Sequence, residues 1–234
     1  MTISSKQNVW FKRIRDAIRD HDEEIVIEGP KAVADAVAAG WVPIKTFARG
    51  VDFTAALFDA LAETKSPQNV IGLFHRPQSS LNQIFNRDSS VVLALDGVQD
   101  PGNVGTIVRL AAAFDANGIV LLPGCADPYS PKAIRSSAGA ILSVPVVSAS
   151  VEELVKRGWP VVAADARGEA GEPPSRRAVI AFGSEGAGLS PTLASAAHKI
   201  AIRMSTRIES LNVATSAAIL LARSYELRST TQKS

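Results

Sequence analysis

Three segments of the sequence combine glycine with polar side chains, and each follows an apolar run. The first is residues 96–109, Asp-Gly-Val-Gln-Asp-Pro-Gly-Asn-Val-Gly-Thr-Ile-Val-Arg, which comes directly after the apolar run 91–95. Open α/β sheets bind ligands beyond the carboxyl ends of their strands, so a ligand site is expected here. We expect Asn103 to cap the helix that follows. Arg109 would share a helix face with Gly105, which leaves room for a substrate beside the arginine. A capped helix with a salt-bridging arginine explains the same residues equally well.

The second segment, residues 183–191, reads Gly-Ser-Glu-Gly-Ala-Gly-Leu-Ser-Pro. Three glycines after a predicted strand let a ligand approach the backbone closely. Leu189 stands where a phosphate-binding P-loop has lysine, and the dinucleotide pattern G-x-G-x-x-G is absent. Glu185 would repel a phosphate, but it could attract a cation or accept a hydrogen bond from a hydroxyl. The structural alternative is a glycine-rich turn that ends at Pro191.

The third segment begins at Ile202 and runs into a predicted helix of small residues over 213–228. Ser210 and Asn212 can both form hydrogen bonds near the start of that helix. A helix cap with close helix packing explains the same residues without any ligand.

The elements that must position these segments alternate between strand and helix, which predicts an α/β fold. Residues 1–86 give a small α/β domain with strands near 24–28, 44–48 and 70–74. The polar stretch 77–90 is typical of a linker, and the domain boundary is placed at 86. Residues 87–234 then predict a mostly parallel sheet with helices on both faces, because the run 91–95 is continuously apolar.

Composition narrows the possible functions. No apolar run approaches the roughly 20 residues that cross a bilayer, and the first residues lack the apolar core of a signal peptide. The single cysteine, Cys125, allows no internal disulfide and suggests a reducing compartment, so a cytoplasmic protein is expected. The three histidines lack metal-ligand spacing, so no metal is expected. The net charge of +2 leaves RNA contact to local patches, of which Lys12 and Arg13 form one candidate.

Together, the order and contents of the three segments resemble the SpoU-type (TrmH-like) ribose methyltransferases of the knotted SPOUT superfamily. The resemblance covers about residues 91–228 and rests on the runs 100–105 with Arg109, 183–189, 202–204 and 210–213. The first domain resembles, more loosely, the family's ribosomal-protein-like substrate-binding domain, notably at residues 26–29. The activity that this implies is methylation of a ribose 2′-hydroxyl in structured RNA, with S-adenosylmethionine as the methyl donor.

The resemblance also implies a deep C-terminal trefoil knot, which general topology rules would not suggest. It further implies a homodimer with the active site near the subunit interface. It assigns cofactor contacts, chiefly through the backbone, and a polar catalytic centre. The cofactor contacts are Gly183, Leu122, Ile202, Met204 and Leu211. The polar centre is Asn103, Arg109, Glu185, Ser210 and Asn212.

Two residues depart from the family pattern. Arg203 stands where the family usually has proline, and Thr206 where it often has glycine. Both changes alter the backbone preferences of the cofactor loop, and Arg203 could contribute a phosphate contact. Arg109 is the family's favoured catalytic residue. Because a guanidinium has a pKa above about 12, we interpret it as a group that orients phosphate and stabilises charge rather than as a simple base.

Three alternatives stay open at this stage. The extra N-terminal domain favours large-subunit rRNA as substrate, with tRNA as the alternative. A catalytically inactive RNA-binding homologue is disfavoured by the intact polar residues. An unrelated α/β enzyme that binds a nucleoside or phosphate is disfavoured by the missing P-loop lysine and dinucleotide pattern.

Overall fold

The chain was analysed as a computed structural model, which describes residues 2–62, 66–87, 90–184, 186–205 and 207–231. The chain forms two compact units. Unit 1 contains residues 1–77 together with 129–135, and unit 2 contains residues 78–128 and 136–234.

Unit 1 carries a three-stranded antiparallel sheet with strand order β1-β3-β2. Its elements are α1 (Val9–Asp20), β1 (Glu24–Glu28), α2 (Pro30–Ala38), β2 (Pro43–Ala48), α3 (Ala55–Asp59) and β3 (Val70–His75). Asn8 caps α1 by accepting a hydrogen bond from the Trp10 amide. Phe11 and Ile14 of α1 pack with Phe47 and Phe53 in the core of this unit, so burial of one apolar helix face explains how α1 is held.

Unit 2 carries a six-stranded sheet with strand order β6-β5-β4-β8-β7-β9. Its strands are β4 (Val91–Asp96), β5 (Gly118–Leu121), β6 (Val146–Ser148), β7 (Val161–Ala170), β8 (Ala178–Gly183) and β9 (Ala197–Ala201). Its helices are α4 (Leu81–Ile84), α5 (Pro101–Ala113), α7 (Val151–Val155), α8 (Pro191–Ala196) and α9 (Val213–Thr231), with α6 (Pro131–Ser136) lying mostly in the stretch assigned to unit 1. Every pair of neighbouring strands is parallel.

Helices cover both faces of this parallel sheet. Alternate residues of the central strands, such as Val92 and Ala94, pack with Ile84, Leu154 and Leu193 from α4, α7 and α8. The intervening strand residues are also buried, and α5 and α9 pack against each other and contact β5 and β8 respectively. Burial on both faces explains why β4 is continuously apolar, and the α/β architecture that the sequence predicts is confirmed.

The segment 77–90 differs from the predicted linker. Ser80 accepts a hydrogen bond from the Gln83 amide and starts the short helix α4, and Ile84 is fully buried in the core of unit 2. The linker prediction was therefore wrong for residues 81–84, because one apolar residue among polar ones is enough to anchor a single turn. The units also divide at 77 rather than 86. Among the described helices, none is long and apolar enough to cross a bilayer.

Candidate active site

A cavity of about 590 Å³ lies at the carboxyl ends of β8 and β9 in unit 2 and beside Ala164 and Asp165 of β7. This is the edge of a parallel sheet at which ligands are expected to bind, and the volume falls in the range of small-molecule sites. Five residues expected from the sequence line it together: Gly183, Ile202, Met204, Ser210 and Leu211. The second and third of the predicted segments therefore form walls of one cavity.

The first wall is the glycine loop, defined here as residues 184–190. The Ser184 amide donates to the Gly188 carbonyl oxygen over 3.1 Å, and the Gly188 amide donates back to that of Ser184 over 3.0 Å. Gly188 has φ +71°, a conformation that other residues adopt only with strain. A Cβ on Gly183 would lie 2.5 Å from the Leu189 nitrogen and closer still to the Gly188 carbonyl group. The loop is therefore closed on itself, and glycine is required where it leaves β8.

The second wall is the β9–α9 loop, defined here as residues 202–212. Ile202, Met204 and Leu211 are half-buried against the cavity, whereas Arg203 and Ser210 are exposed. Asn212 ends the loop and caps α9, since its Oδ1 accepts from the amides of Ala214 over 2.9 Å and Thr215 over 3.3 Å. Asn212 therefore caps α9, as the structural alternative for this segment expects.

A second cavity of about 420 Å³ adjoins the first, and the two share Ser184, Gly186, Ala187 and Val213. Asn103 lines this second cavity, and its Oδ1 accepts a hydrogen bond from Asn212 Nδ2 over 3.2 Å. The first and third segments of the sequence therefore meet at this amide pair, although 109 positions separate the two residues.

The prediction that Asn103 caps α5 was wrong. Asp100 is the cap, and its Oδ1 accepts from the Asn103 amide over 2.9 Å. Pro101 then occupies the first helical position, which suits its fixed φ and its missing N–H. Because Asp100 satisfies the backbone, the side chain of Asn103 lies in the first turn and points toward Asn212.

Arg109 is exposed on α5 and is not among the described residues that line either cavity. Six positions separate it from Asn103, which corresponds to about 9 Å along the helix axis and about 240° around it. The family resemblance groups Arg109 with Asn103 in one polar centre, but the helix geometry of α5 points the two side chains in different directions.

The other predicted site residues are dispersed. Leu122 is 2% exposed and packs in the sheet core rather than against the cavity. Lys12 and Arg203 are exposed. Arg13 forms a fork of hydrogen bonds with Glu24, with its Nε 2.9 Å and 3.0 Å from the two carboxylate oxygens, and this pairing raises the pKa of Arg13. Glu185 and Thr206 lie outside the described residues.

The first cavity is also lined by two carboxylates that the sequence analysis did not single out. Asp165 directly follows residues 161–164, the first part of β7 that pairs with β9, and its Oδ2 lies 3.1 Å from Lys199 Nζ. Glu209 lies on the β9–α9 loop. Asp165 could have been found, because it directly follows the predicted strand 161–164 at the carboxyl edge of the sheet. Glu209 carries no comparable signal, since acidic residues are common in exposed loops.

Neither thiol nor metal chemistry finds support in the described structure. Burial raises the pKa of the Cys125 thiol, whose Sγ donates to the Leu95 carbonyl oxygen over 3.1 Å. A thiol with a raised pKa stays protonated at neutral pH and is a weak nucleophile. Across the described ranges, no group of three or more His, Cys, Asp or Glu side chains could hold a metal ion.

Comparison with known proteins gives matches that include the part of the chain that lines the two cavities. The SpoU rRNA Methylase family matches residues 90–222. A Bacillus subtilis protein named 23S rRNA (guanosine(2553)-2′-O)-methyltransferase RlmP is 35% identical over 179 residues, which cover 73% of this chain and 69% of the relative. A Streptomyces laurentii protein named 23S rRNA (adenosine(1067)-2′-O)-methyltransferase is 36% identical over 180 residues, which cover 73% of this chain and 67% of the relative.

A solved structure agrees over nearly the whole length. The AdoMet-bound rRNA methyltransferase from Sinorhizobium meliloti has a TM-score of 0.85 and 28% sequence identity, and the match covers 97% of each chain. The family match includes all the described residues that line the two cavities. The chain therefore belongs to the SpoU rRNA Methylase family.

Proposed function

We propose that the chain transfers a methyl group from S-adenosylmethionine to a ribose 2′-hydroxyl of large-subunit ribosomal RNA. The observation that carries the proposal is the cavity between the glycine loop and the β9–α9 loop, which adjoins the Asn103–Asn212 pair in a chain of the SpoU family. The two curated relatives named above act on 23S rRNA, which favours ribosomal RNA over tRNA.

The lining of the first cavity suits this cofactor. S-adenosylmethionine combines an adenine ring with a sulfonium and an ammonium group, so it needs apolar surface, backbone hydrogen-bonding groups and negative charge. Leu189, Ile202 and Leu211 supply apolar surface, and the glycine loop exposes its backbone. Glu209 supplies a carboxylate, whereas the carboxylate of Asp165 is already paired with Lys199. A volume of about 590 Å³ is sufficient for a molecule of this size.

In this proposal the cofactor is held by Gly183, Ile202, Met204 and Leu211, and it supplies an electrophilic methyl group without help from a metal. Asn103, which lines the adjoining cavity and pairs with Asn212, orients the ribose together with Ser210 from the wall of the first cavity. Holding the 2′-hydroxyl in line with the methyl group accounts for much of the rate enhancement, because positioning replaces a bimolecular encounter. Leu122, which is buried in the sheet core, has only an indirect role, and the part that Glu185 plays is inferred from the family pattern alone.

The position of Arg109 supports the homodimer that the family resemblance implies. Arg109 is exposed and turned away from the cavities of its own chain. In a symmetric dimer the same surface of both subunits meets, so α5 of one subunit can bring Arg109 to the cavities of the other. We propose that Arg109 acts in this way, orienting an RNA phosphate and stabilising charge as the hydroxyl loses its proton.

Mixed dimers test this arrangement. One subunit carries Arg109→Ala and the other carries Gly183→Ala, which displaces the cavity wall, and the assay uses too little S-adenosylmethionine to fill the weakened Gly183→Ala site. If Arg109 acts across the interface, random mixing should restore about a quarter of wild-type activity, since half the dimers are mixed and each has one intact site. If Arg109 acts within its own chain, no mixed dimer has a complete site and the mixture stays inactive.

Other features of the family enter as part of the same proposal. The C-terminal part carries the trefoil knot, consistent with β9 pairing to β7 at the sheet edge while α9 returns to pack on α5. Unit 1 binds the RNA substrate with Lys12 as a phosphate contact, and Arg203 of unit 2 supplies another. Arg13 contributes less, because Glu24 already pairs with it. The same proposal includes the cytoplasmic location that the single cysteine favours.

Mapping of 2′-O-methylation in a strain that lacks the gene tests the function. One methylated site in large-subunit rRNA should disappear and should return with the wild-type gene, but not with an Asn103→Ala/Asn212→Ala gene. A site lost from tRNA instead would replace the proposed substrate. Unchanged methylation in all cellular RNA would favour the inactive RNA-binding homologue and contradict the proposal.

A further inference from the structure

A buried carboxylate lies behind the glycine loop. Asp96 ends β4, is 7% exposed, and stands opposite Gly183 in the register of β4 and β8. Its Oδ2 accepts a hydrogen bond from the Ser190 amide over 2.7 Å. No ion pair between described residues includes Asp96. A buried charge without a cation is costly, so the short charge-assisted bond to Ser190 is its main compensation.

This hydrogen bond fixes the far end of the glycine loop. Covalent connection to β8 fixes the near end at Gly183, and the paired amide bonds between Ser184 and Gly188 close the loop on itself. Leu189, next to Ser190, packs against the sheet core on one side and lines the first cavity. A shift of Ser190 would therefore move a wall of that cavity.

The same loop separates the two cavities. Ser184, Gly186 and Ala187 line both of them. Gly97, directly after Asp96, lines the second cavity, and a Cβ on it would lie 3.6 Å from Ser184 Cβ. Asp96 thus joins the strand that leads to Asn103 with the loop that lines the first cavity.

We propose that Asp96 is a positioning residue, whose carboxylate holds the glycine loop through the Ser190 amide and so sets the shape of the wall between the two cavities. The inference rests on the proposed function, because it takes the first cavity as the cofactor site. Asp96 itself lines neither cavity among the described residues and would not contact the cofactor or the RNA.

The test compares Asp96→Ala and Asp96→Asn with wild type in calorimetric titration with S-adenosylmethionine. Alanine removes the acceptor, and the dissociation constant should rise roughly tenfold to a hundredfold, the range for loss of a hydrogen bond to a charged group. Asparagine keeps an uncharged acceptor, so a rise of about fivefold is expected. Asp115→Asn, an exposed isosteric change in the same unit, is the matched control and should bind as wild type does.

Hydrogen exchange distinguishes positioning from general destabilisation. In the alanine variant, amides of residues 184–190 should exchange faster, while those of β4 and β8 stay protected. Affinity for RNA should stay within about twofold of wild type, because the phosphate contacts that dominate RNA affinity are untouched. A folded alanine variant with wild-type affinity for the cofactor and unchanged exchange in 184–190 would overturn the inference.

If Asp96→Ala fails to fold, the Asp96→Asn variant tests the positioning role by itself. A raised dissociation constant with faster exchange in residues 184–190 supports the positioning role, and wild-type values for both overturn it. Failure of the wild-type chain to bind S-adenosylmethionine in the same titrations would contradict the proposed function itself, and the inference with it.

Discussion

The glycine loop and the β9–α9 loop wall the same cavity, but they are built in different ways. The glycine loop is closed by hydrogen bonds between Ser184 and Gly188 and held at its end by Asp96. The β9–α9 loop presents exposed residues such as Arg203 and Ile208, and the side-chain hydrogen bonds of its described residues lie at Asn212, where α9 begins. We infer that the first loop is a preformed wall, and that the second is shaped by what binds against it.

The largest effect is expected at the start of the preformed wall. Gly183→Ala places a Cβ against the backbone of Gly188 and Leu189, so the loop must move. Overpacking of this kind should raise the dissociation constant for S-adenosylmethionine roughly tenfold to a hundredfold. Gly186→Ala is the matched comparison, because a Cβ there meets nothing within 4 Å. Equal losses of affinity in the two variants, measured by calorimetry, would contradict a rigid wall.

A smaller effect is expected at Asn212, where the second loop is anchored. Asn212→Ala removes the cap of α9 and should lower the free energy of unfolding by about 1 kcal/mol. Asn212→Ser retains a capping oxygen and should keep most of that stability, yet it loses the amide that donates to Asn103. Turnover should therefore fall in both variants, and in Asn103→Ala, while only Asn212→Ala is less stable in denaturant. A fully active Asn212→Ser variant would show that the amide pair is structural.

The smallest effect is expected at exposed arginines. Arg203→Ala should weaken RNA binding a few-fold and reduce the slope of log affinity against log salt by about one, as for loss of one phosphate contact. Arg13→Ala should change the slope less, because Glu24 already pairs with Arg13. Affinity for the cofactor should stay constant in both. A larger salt effect from Arg13 than from Arg203 would move the RNA surface to α1.

The preformed parts of the molecule could be read from the sequence. The apolar run 91–95 predicts a strand buried on both faces, and β4 is one. The segment after β8 predicts a loop that a ligand approaches closely, and the close contact of Gly183 with Gly188 explains why glycine is needed there. These features depend on neighbours in the chain or on one adjacent strand, so local pattern is enough to predict them.

Two kinds of feature were not predicted: those for which two residues compete for one role, and those that depend on partners far away in the sequence. Asp100 displaced Asn103 as the cap of α5 because both residue types can cap, and the sequence pattern does not decide between them. The direction of Arg109 depends on where α5 begins, and the bond between Asp96 and Ser190 joins positions 94 apart. The short helix α4 is held by burial of Ile84 against a core that the local sequence does not reveal.

A crystal structure of the chain grown with S-adenosylmethionine tests the central claim most directly. The account predicts the cofactor between the two loops, with contacts to the backbone at Gly183, Ile202 and Leu211, an unchanged glycine loop and a rearranged β9–α9 loop. A cofactor bound elsewhere, or a glycine loop that moves while the β9–α9 loop does not, would contradict it.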